Sequence, residues 1–265
     1  MPALITLTLN PALDLATTID RVAPTHKLRC GPIQRYAGGG GINVARVLHR
    51  LGADVQAWAL AGGAAGAQVR QLLADEGVPT VLQPIAGDTP GTPDDFYAPL
   101  ARALKARGVR VAIDTSGPAL AAALQAGVAL VKPSLRELQE VMQQPLAHAA
   151  DWCQAARSLV QSGAAGIVAL SVGDQGAVLA TPEGVWQAPA LHMAATTGTT
   201  GAGDCFLAAL VWALDRGDAP AEALRWGVAA GAAALLHPGT TLAQAADVQR
   251  LVRHVPAPVA MAMAA

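Results

Sequence analysis

The residues best equipped for chemistry are Thr197-Gly-Thr-Thr-Gly-Ala-Gly-Asp204, directly ahead of the apolar run Cys205-Phe-Leu-Ala-Ala-Leu-Val-Trp-Ala-Leu214. A helix beginning here would expose the backbone N–H groups of Gly201, Ala202 and Gly203, and the unpaired amides and helix dipole at such a start attract anions. Small residues also let a phosphate approach the main chain without a Cβ in the way. Asp204 is then the odd member. A carboxylate beside an anion site is repelled by the ligand unless it accepts a proton from an attacking hydroxyl or helps to hold a metal. The alternative is a first-turn acid that only stabilises the helix dipole.

A second close-approach site is Gly38-Gly-Gly-Gly-Ile-Asn-Val-Ala-Arg46. Four consecutive glycines entering a helix permit a ligand to lie on the backbone, and Asn43 in the first turn offers a donor and an acceptor. Asp14 follows the first strand, where a carboxylate can bind sugar hydroxyls or merely shape a turn. Lys27 and Arg29, two apart on an expected strand, would share a face and suit a phosphate monoester, although edge-strand lysines also serve against aggregation. In Lys132-Pro-Ser-Leu-Arg-Glu137, Ser134 and Glu137 have the spacing of a capping box. Ser171-Val-Gly-Asp-Gln-Gly176 is a further glycine-containing turn, at a strand end where a nucleotide could lie.

The elements that must position these residues alternate. Residues 4–9 read as a strand ending in Asn-Pro, and residues 15–36 as a small sheet outside the main core. Strands are expected at 54–60, 80–85, 109–113, 127–131 and 166–170, helices at 64–76, 94–107 and 151–161, and a hairpin from strands 177–181 and 185–188. Residues 87–93 form a compact turn. Helices at 205–214, 219–236 and 242–253 follow, and residues 255–265 should be a disordered tail. This is the βαβ alternation of a layered α/β domain, here one domain over 1–254.

Composition narrows the class. Of 265 residues, 52% are apolar and 14% charged, with mean hydropathy +0.35, so a large core is expected. No apolar run approaches the roughly 18 residues that would cross a bilayer. A net charge of −1 argues against a nucleic-acid footprint. The start Met1-Pro-Ala-Leu-Ile-Thr-Leu-Thr-Leu9 has no basic leader, which makes the cytoplasm the expected compartment. Cys30, Cys153 and Cys205 suggest neither a disulfide framework nor a zinc site. A dinucleotide-dependent oxidoreductase is disfavoured, because the glycine runs do not follow the first strand as Gly-x-Gly-x-x-Gly with a later acid.

Taken in order, these motifs, together with Gly227-Val-Ala-Ala-Gly231, resemble the PfkB (ribokinase-like) carbohydrate kinases, most nearly the 6-phosphofructokinases of that family. The resemblance implies a three-layer αβα sandwich with a small β-lid within about residues 15–36, a homodimer through that lid, and ATP-dependent phosphorylation of a sugar hydroxyl with Mg²⁺. It implies Asp204 as base, with Thr200, Gly201, Ala202 and Gly203 as the anion hole. Asp14, Gly39, Gly40 and Asn43 would bind the sugar, and Lys27 and Arg29 its phosphate. Lys132, Ser134 and Glu137 would lie near the ATP phosphates and Mg²⁺, Glu137 indirectly. Ser171, Gly173, Gly176 and Thr199 would complete the nucleotide site. Fructose 6-phosphate is the expected acceptor, with tagatose 6-phosphate and fructose 1-phosphate as alternatives.

The sequence departs from the family in three places. Between Ile85 and Asp94 a short turn, with Pro90-Gly91 as a remnant, replaces a block that carries two lid strands, an arginine contact and a core strand. Ser134 replaces the usual asparagine, and Gly198 stands where an acid or serine is common before a monovalent-cation site. The missing block sets up a second expectation, a shortened homologue that binds ligand without turnover.

Overall fold

The computed structural model describes residues 2–19, 21, 23–25, 27–85, 93–193 and 196–261. β1 (Leu4–Thr8) leads through Asn10-Pro11 into β2 (Ala12–Ala16), which pairs antiparallel with β3 (Gln34–Gly38). These two strands are the lid. Its ladder starts earlier and ends later than expected, and the described residues between 17 and 33 form no regular strand.

Gly39, with φ +103°, turns the chain into α1 (Gly40–Arg50). A Cβ on Gly41 would lie 2.5 Å from Thr8 Oγ1 and 2.7 Å from the Leu7 carbonyl, so only glycine lets this helix start against the end of β1. β4 (Val55–Ala61), α2 (Gly63–Asp75) and β5 (Thr80–Pro84) follow, giving a parallel sheet in the order β1-β4-β5. The turn expected at 87–93, with Pro90 and Gly91, lies outside the described residues apart from Pro93.

The remaining elements are α3 (Tyr97–Lys105), β6 (Ala112–Ile113), α4 (Gly117–Ala126), β7 (Val128–Val131), α5 (Leu135–Met142), α6 (Ala149–Gln161) and β8 (Ala165–Ser171), then β9 (Ala177–Thr181), β10 (Gly184–Ala188), α7 (Ala202–Asp215), α8 (Pro220–Ala234), α9 (Ala245–Leu251) and β11 (Val259–Ala260). They build a second sheet in the order β11-β10-β9-β8-β7-β6, parallel from β6 to β8 and antiparallel beyond.

Two expectations fail here. The strand at 109–113 shortens to Ala112–Ile113. The tail is a sheet edge as far as residue 261: β11 pairs with Trp186 and Gln187, and the Met261 N–H donates to the Val185 carbonyl at 2.9 Å. Pro256 and Pro258 precede this short ladder on an outer edge, where proline is tolerated.

Among the described residues β1 and β6 each pair on one side only, so the sheet is interrupted between them. The core crosses the interruption, joining Ala57 and Ala59 of β4 to Leu179 of β9 and to Leu207 and Leu210 of α7. The three layers are complete over the six-stranded sheet, where α6 and α8 pack on it. Over β1-β4-β5 the helices cover one face. On the other face Leu7, Trp58 and Val81, a cross-strand row, are 38%, 43% and 39% exposed, with Ile5 beside them at 55%. Among the described residues no helix is long and apolar enough to cross a membrane.

Candidate active site

Two glycine-led helix starts meet at the centre of the molecule. Gly201, left-handed at φ 78°, caps α7 and turns Asp204 inward within the first helical turn. From α1, Asn43 Nδ2 donates to Asp204 Oδ2 at 2.8 Å. Asn43 Oδ1 is buried with no donor among the described residues, an acceptor left for a hydroxyl. Gly40 borders the same space: a Cβ there would stand 3.6 Å from Asp204 Oδ1.

Burial pushes the Asp204 carboxyl up to about 6. The Asn43 hydrogen bond and Lys132 oppose the rise, while the charges of Asp114 and Asp14 add to it. A carboxyl with that affinity for a proton is suited to general-base work near neutrality. The amide positions differ slightly from expectation. The Ala202 N–H donates to the Thr199 carbonyl at 3.3 Å in a turn, and among the described residues the amides of Gly203 and Asp204 have no backbone partner at the helix start.

Lys132, at the exit of β7, is buried and pairs with Asp114 at 3.2 Å. A Cβ on Gly203 would lie 3.5 Å from its ammonium, so the lysine stands directly at the mouth of α7. Asp114 was not singled out by the sequence, and its place after a short strand was the only sign of it. Burial raises its pKa, Lys132 opposes the rise and Glu137 adds to it, so Asp114 and Glu137 share one electrostatic environment. Ser134 and Glu137 do form a capping box, with the Ser134 N–H donating to Glu137 Oε2 at 2.8 Å and the Glu137 N–H to Ser134 Oγ at 3.3 Å. Ser171 is bridged to Ser134, and Gly173 and Gly176 both adopt positive φ in the turn that follows. This brings the expected nucleotide turn alongside the lysine loop. Thr199 and Thr200 are exposed just ahead of α7.

Asp14 lies on β2 with its carboxylate over Gly38, where any Cβ would collide with it. Gly38→Ala should therefore evict Asp14 and raise the KM for an acceptor bound there by roughly ten-fold or more, with the KM of the second substrate unchanged, in initial-rate measurements. Lys27 and Arg29 are exposed, have no ionic partner among the described residues, and sit in an irregular stretch rather than on a strand. The shared strand face expected of them is absent. No group of three metal-ligating side chains occurs among the described residues.

An α/β sandwich with a lid, two glycine-led helix starts and a buried aspartate between them defines the ribokinase-like class. An Arabidopsis thaliana ribokinase matches the fold at TM-score 0.74 and 20% identity, over 95% of this chain and 99% of that one. Residues 7–92 and 83–246 match the model of the pfkB family of carbohydrate kinases, and the chain belongs to that family. The two stretches meet at 83–92, where the sequence lacks its block.

An ATP-dependent 6-phosphofructokinase isozyme 2 from Mycobacterium tuberculosis is 35% identical over 302 residues, covering 94% of this chain and 88% of the relative. Those 302 positions exceed the 265 residues here, so the relative carries residues that this chain lacks. Phosphofructokinase-2 from Escherichia coli, solved with substrates and products, matches at TM-score 0.91 and 32% identity over 95% of this chain and 99% of that one. The same E. coli protein has also been solved with fructose-6-phosphate.

Proposed function

We propose that this carbohydrate kinase transfers the terminal phosphoryl group of ATP to the 1-hydroxyl of fructose 6-phosphate. The observation that carries the reading is the Asn43–Asp204 hydrogen bond, 2.8 Å long, which joins the acceptor-side helix to the base at the phosphate-side helix. Asp14 and the free Asn43 Oδ1 orient the sugar, and Asp204 removes the hydroxyl proton as oxygen attacks phosphorus. The amides of Gly203 and Asp204, with Gly201 and Lys132, receive charge that develops on the transferred group. Ser171, Gly173, Gly176, Thr199 and Thr200 border the nucleotide, and Lys27 and Arg29 are free to meet the sugar phosphate.

Mg²⁺ fits the donor set. It is held typically by one or two carboxylates together with substrate phosphates and water, and Glu137 and Asp114 supply carboxylates beside Lys132. Bound there, it would neutralise phosphate charge. Dimerisation through the lid belongs to the same reading, supported by exposed Leu15, Leu28 and Ile33. A monomer in sedimentation equilibrium at micromolar concentration removes that part.

The deciding experiment measures ADP release with Mg-ATP and each of fructose 6-phosphate, fructose 1-phosphate and tagatose 6-phosphate. The highest kcat/KM is expected with fructose 6-phosphate. Higher efficiency with fructose 1-phosphate reassigns the acceptor. A thermal shift with ATP and sugar but no turnover points instead to a ligand-binding homologue.

A further inference from the structure

The turn His237-Pro-Gly-Thr-Thr-Leu-Ala243, between α8 and α9, touches both halves of the site. Thr240 is 3% exposed, and its Oγ1 donates to Asp14 Oδ2 at 2.8 Å. Two residues on, Leu242 is 1% exposed and holds φ at 65°, a left-handed conformation that is uncommon for a side chain of this bulk and is kept only where the surroundings enforce it. Its Cδ2 occupies the space that a Cβ on Gly201 would need, so the leucine packs on the residue that opens the α7 amides.

The turn itself is anchored by two arginines of α1. Arg46 Nη1 donates to the Thr240 carbonyl at 3.0 Å and to the Ala37 carbonyl, beside Gly38 and Asp14, at 2.9 Å. Arg50 Nη1 donates to the carbonyls of Thr241 and Ala243 at 2.7 and 3.2 Å. The Ala243 N–H meets Cys205 Sγ, inside α7, at 3.4 Å. One short segment thus holds the acceptor carboxylate by a side chain and the anion-binding glycine by its neighbour but one.

We propose that residues 237–243 act as a spacer between acceptor and donor sites, with Thr240 positioning Asp14 and Leu242 positioning Gly201. Thr240 touches no reacting atom and works through Asp14. A hydroxyl that donates to a carboxylate fixes which oxygen faces the sugar, and losing it frees the carboxylate to rotate. The inference rests on the kinase reading above.

The test is steady-state kinetics on Thr240→Val, nearly isosteric but unable to donate, beside Thr240→Ser, Leu242→Ala and the parent enzyme. Thr240→Val should raise the KM for the sugar phosphate roughly ten-fold while the KM for ATP stays within about two-fold. Thr240→Ser should restore it. Leu242→Ala should show the opposite split, with ATP affinity and kcat falling and sugar affinity held.

Urea titration separates misfolding from positioning, and a folded Thr240→Val enzyme with parental sugar KM overturns the inference. Equal losses toward both substrates in Thr240→Val and Leu242→Ala overturn it as well, because they mark a merely structural turn. A parent enzyme that turns over no sugar phosphate removes the kinase reading itself, and the inference with it.

Discussion

Asp204→Asn should reduce kcat by roughly 10² to 10⁴-fold, the usual contribution of a positioned general base, while ATP still raises the melting temperature. Asparagine can accept the Asn43 hydrogen bond in place of the carboxylate, so the geometry between α1 and α7 survives and only the proton acceptor is lost. In the parent enzyme the rate should fall below about pH 6, as the carboxyl takes up its proton. Stability moves the other way. A folded-state pKa raised above the unfolded value means that folding binds a proton between about 4 and 6. The stabilisation from this group is present at low pH and is lost as pH rises through about 6. At pH 7.5 the Asn variant escapes that penalty and should melt no lower than the parent, the gain being on the order of 1–2 kcal/mol after partial exposure is allowed for. A variant that keeps more than a tenth of the parental kcat at pH 7.5 rules out Asp204 as the base.

Arg46→Ala should cost about 3–5 kcal/mol, a large part of the roughly 5–15 kcal/mol that holds a domain folded. The guanidinium is 1% exposed and meets Glu76 at 2.6 Å as well as the carbonyls of Ala37 and Thr240. Removing it leaves Glu76 with Arg50 as its remaining cation, 2.7 Å away, and strands the two buried carbonyls. Burial alone would raise the Glu76 pKa, but hydrogen bonds and charges from Arg46 and Arg50 outweigh it and hold the carboxyl below its ordinary range. That part of the stability is full above the unfolded carboxylate pKa and disappears as pH falls through the lower folded value. The exposed Arg110–Asp215 pair, 3.2 Å apart, is the control. Its loss should change stability by less than about 0.5 kcal/mol in urea denaturation. Equal effects from the two arginines would contradict the account.

Much of the fold was legible because the local pattern and the tertiary need agree. The hairpin strands at 177–181 and 184–188, the helix starts at 40 and 202 and the capping box at 134–137 carry their own turn and capping chemistry. α4 was passed over because Gly117–Ala126 is alanine-rich and lacks a polar face to give it a period. β11 was missed since two residues pairing at an edge leave no periodicity. Lys27 and Arg29, two apart, suggest one face of a strand, but among the described residues no strand pairs with them. Asp114 and Thr240 acquire meaning only from partners far along the chain, Lys132 in one case and Asp14 in the other. Spacing within a motif cannot report such partners.

Among the described residues no ladder of main-chain hydrogen bonds runs from β1 to β6, so the two sheets meet through packing alone. Asn43 rides with one sheet, while Asp114 and Lys132 sit at strand ends of the other. The spacing between these groups is therefore held by side chains packed across the junction, Ala57 and Ala59 against Leu179, Leu207 and Leu210, rather than by a backbone ladder. A ligand that touched Asn43 and Lys132 at once would add a link between the sheets that the described backbone does not supply.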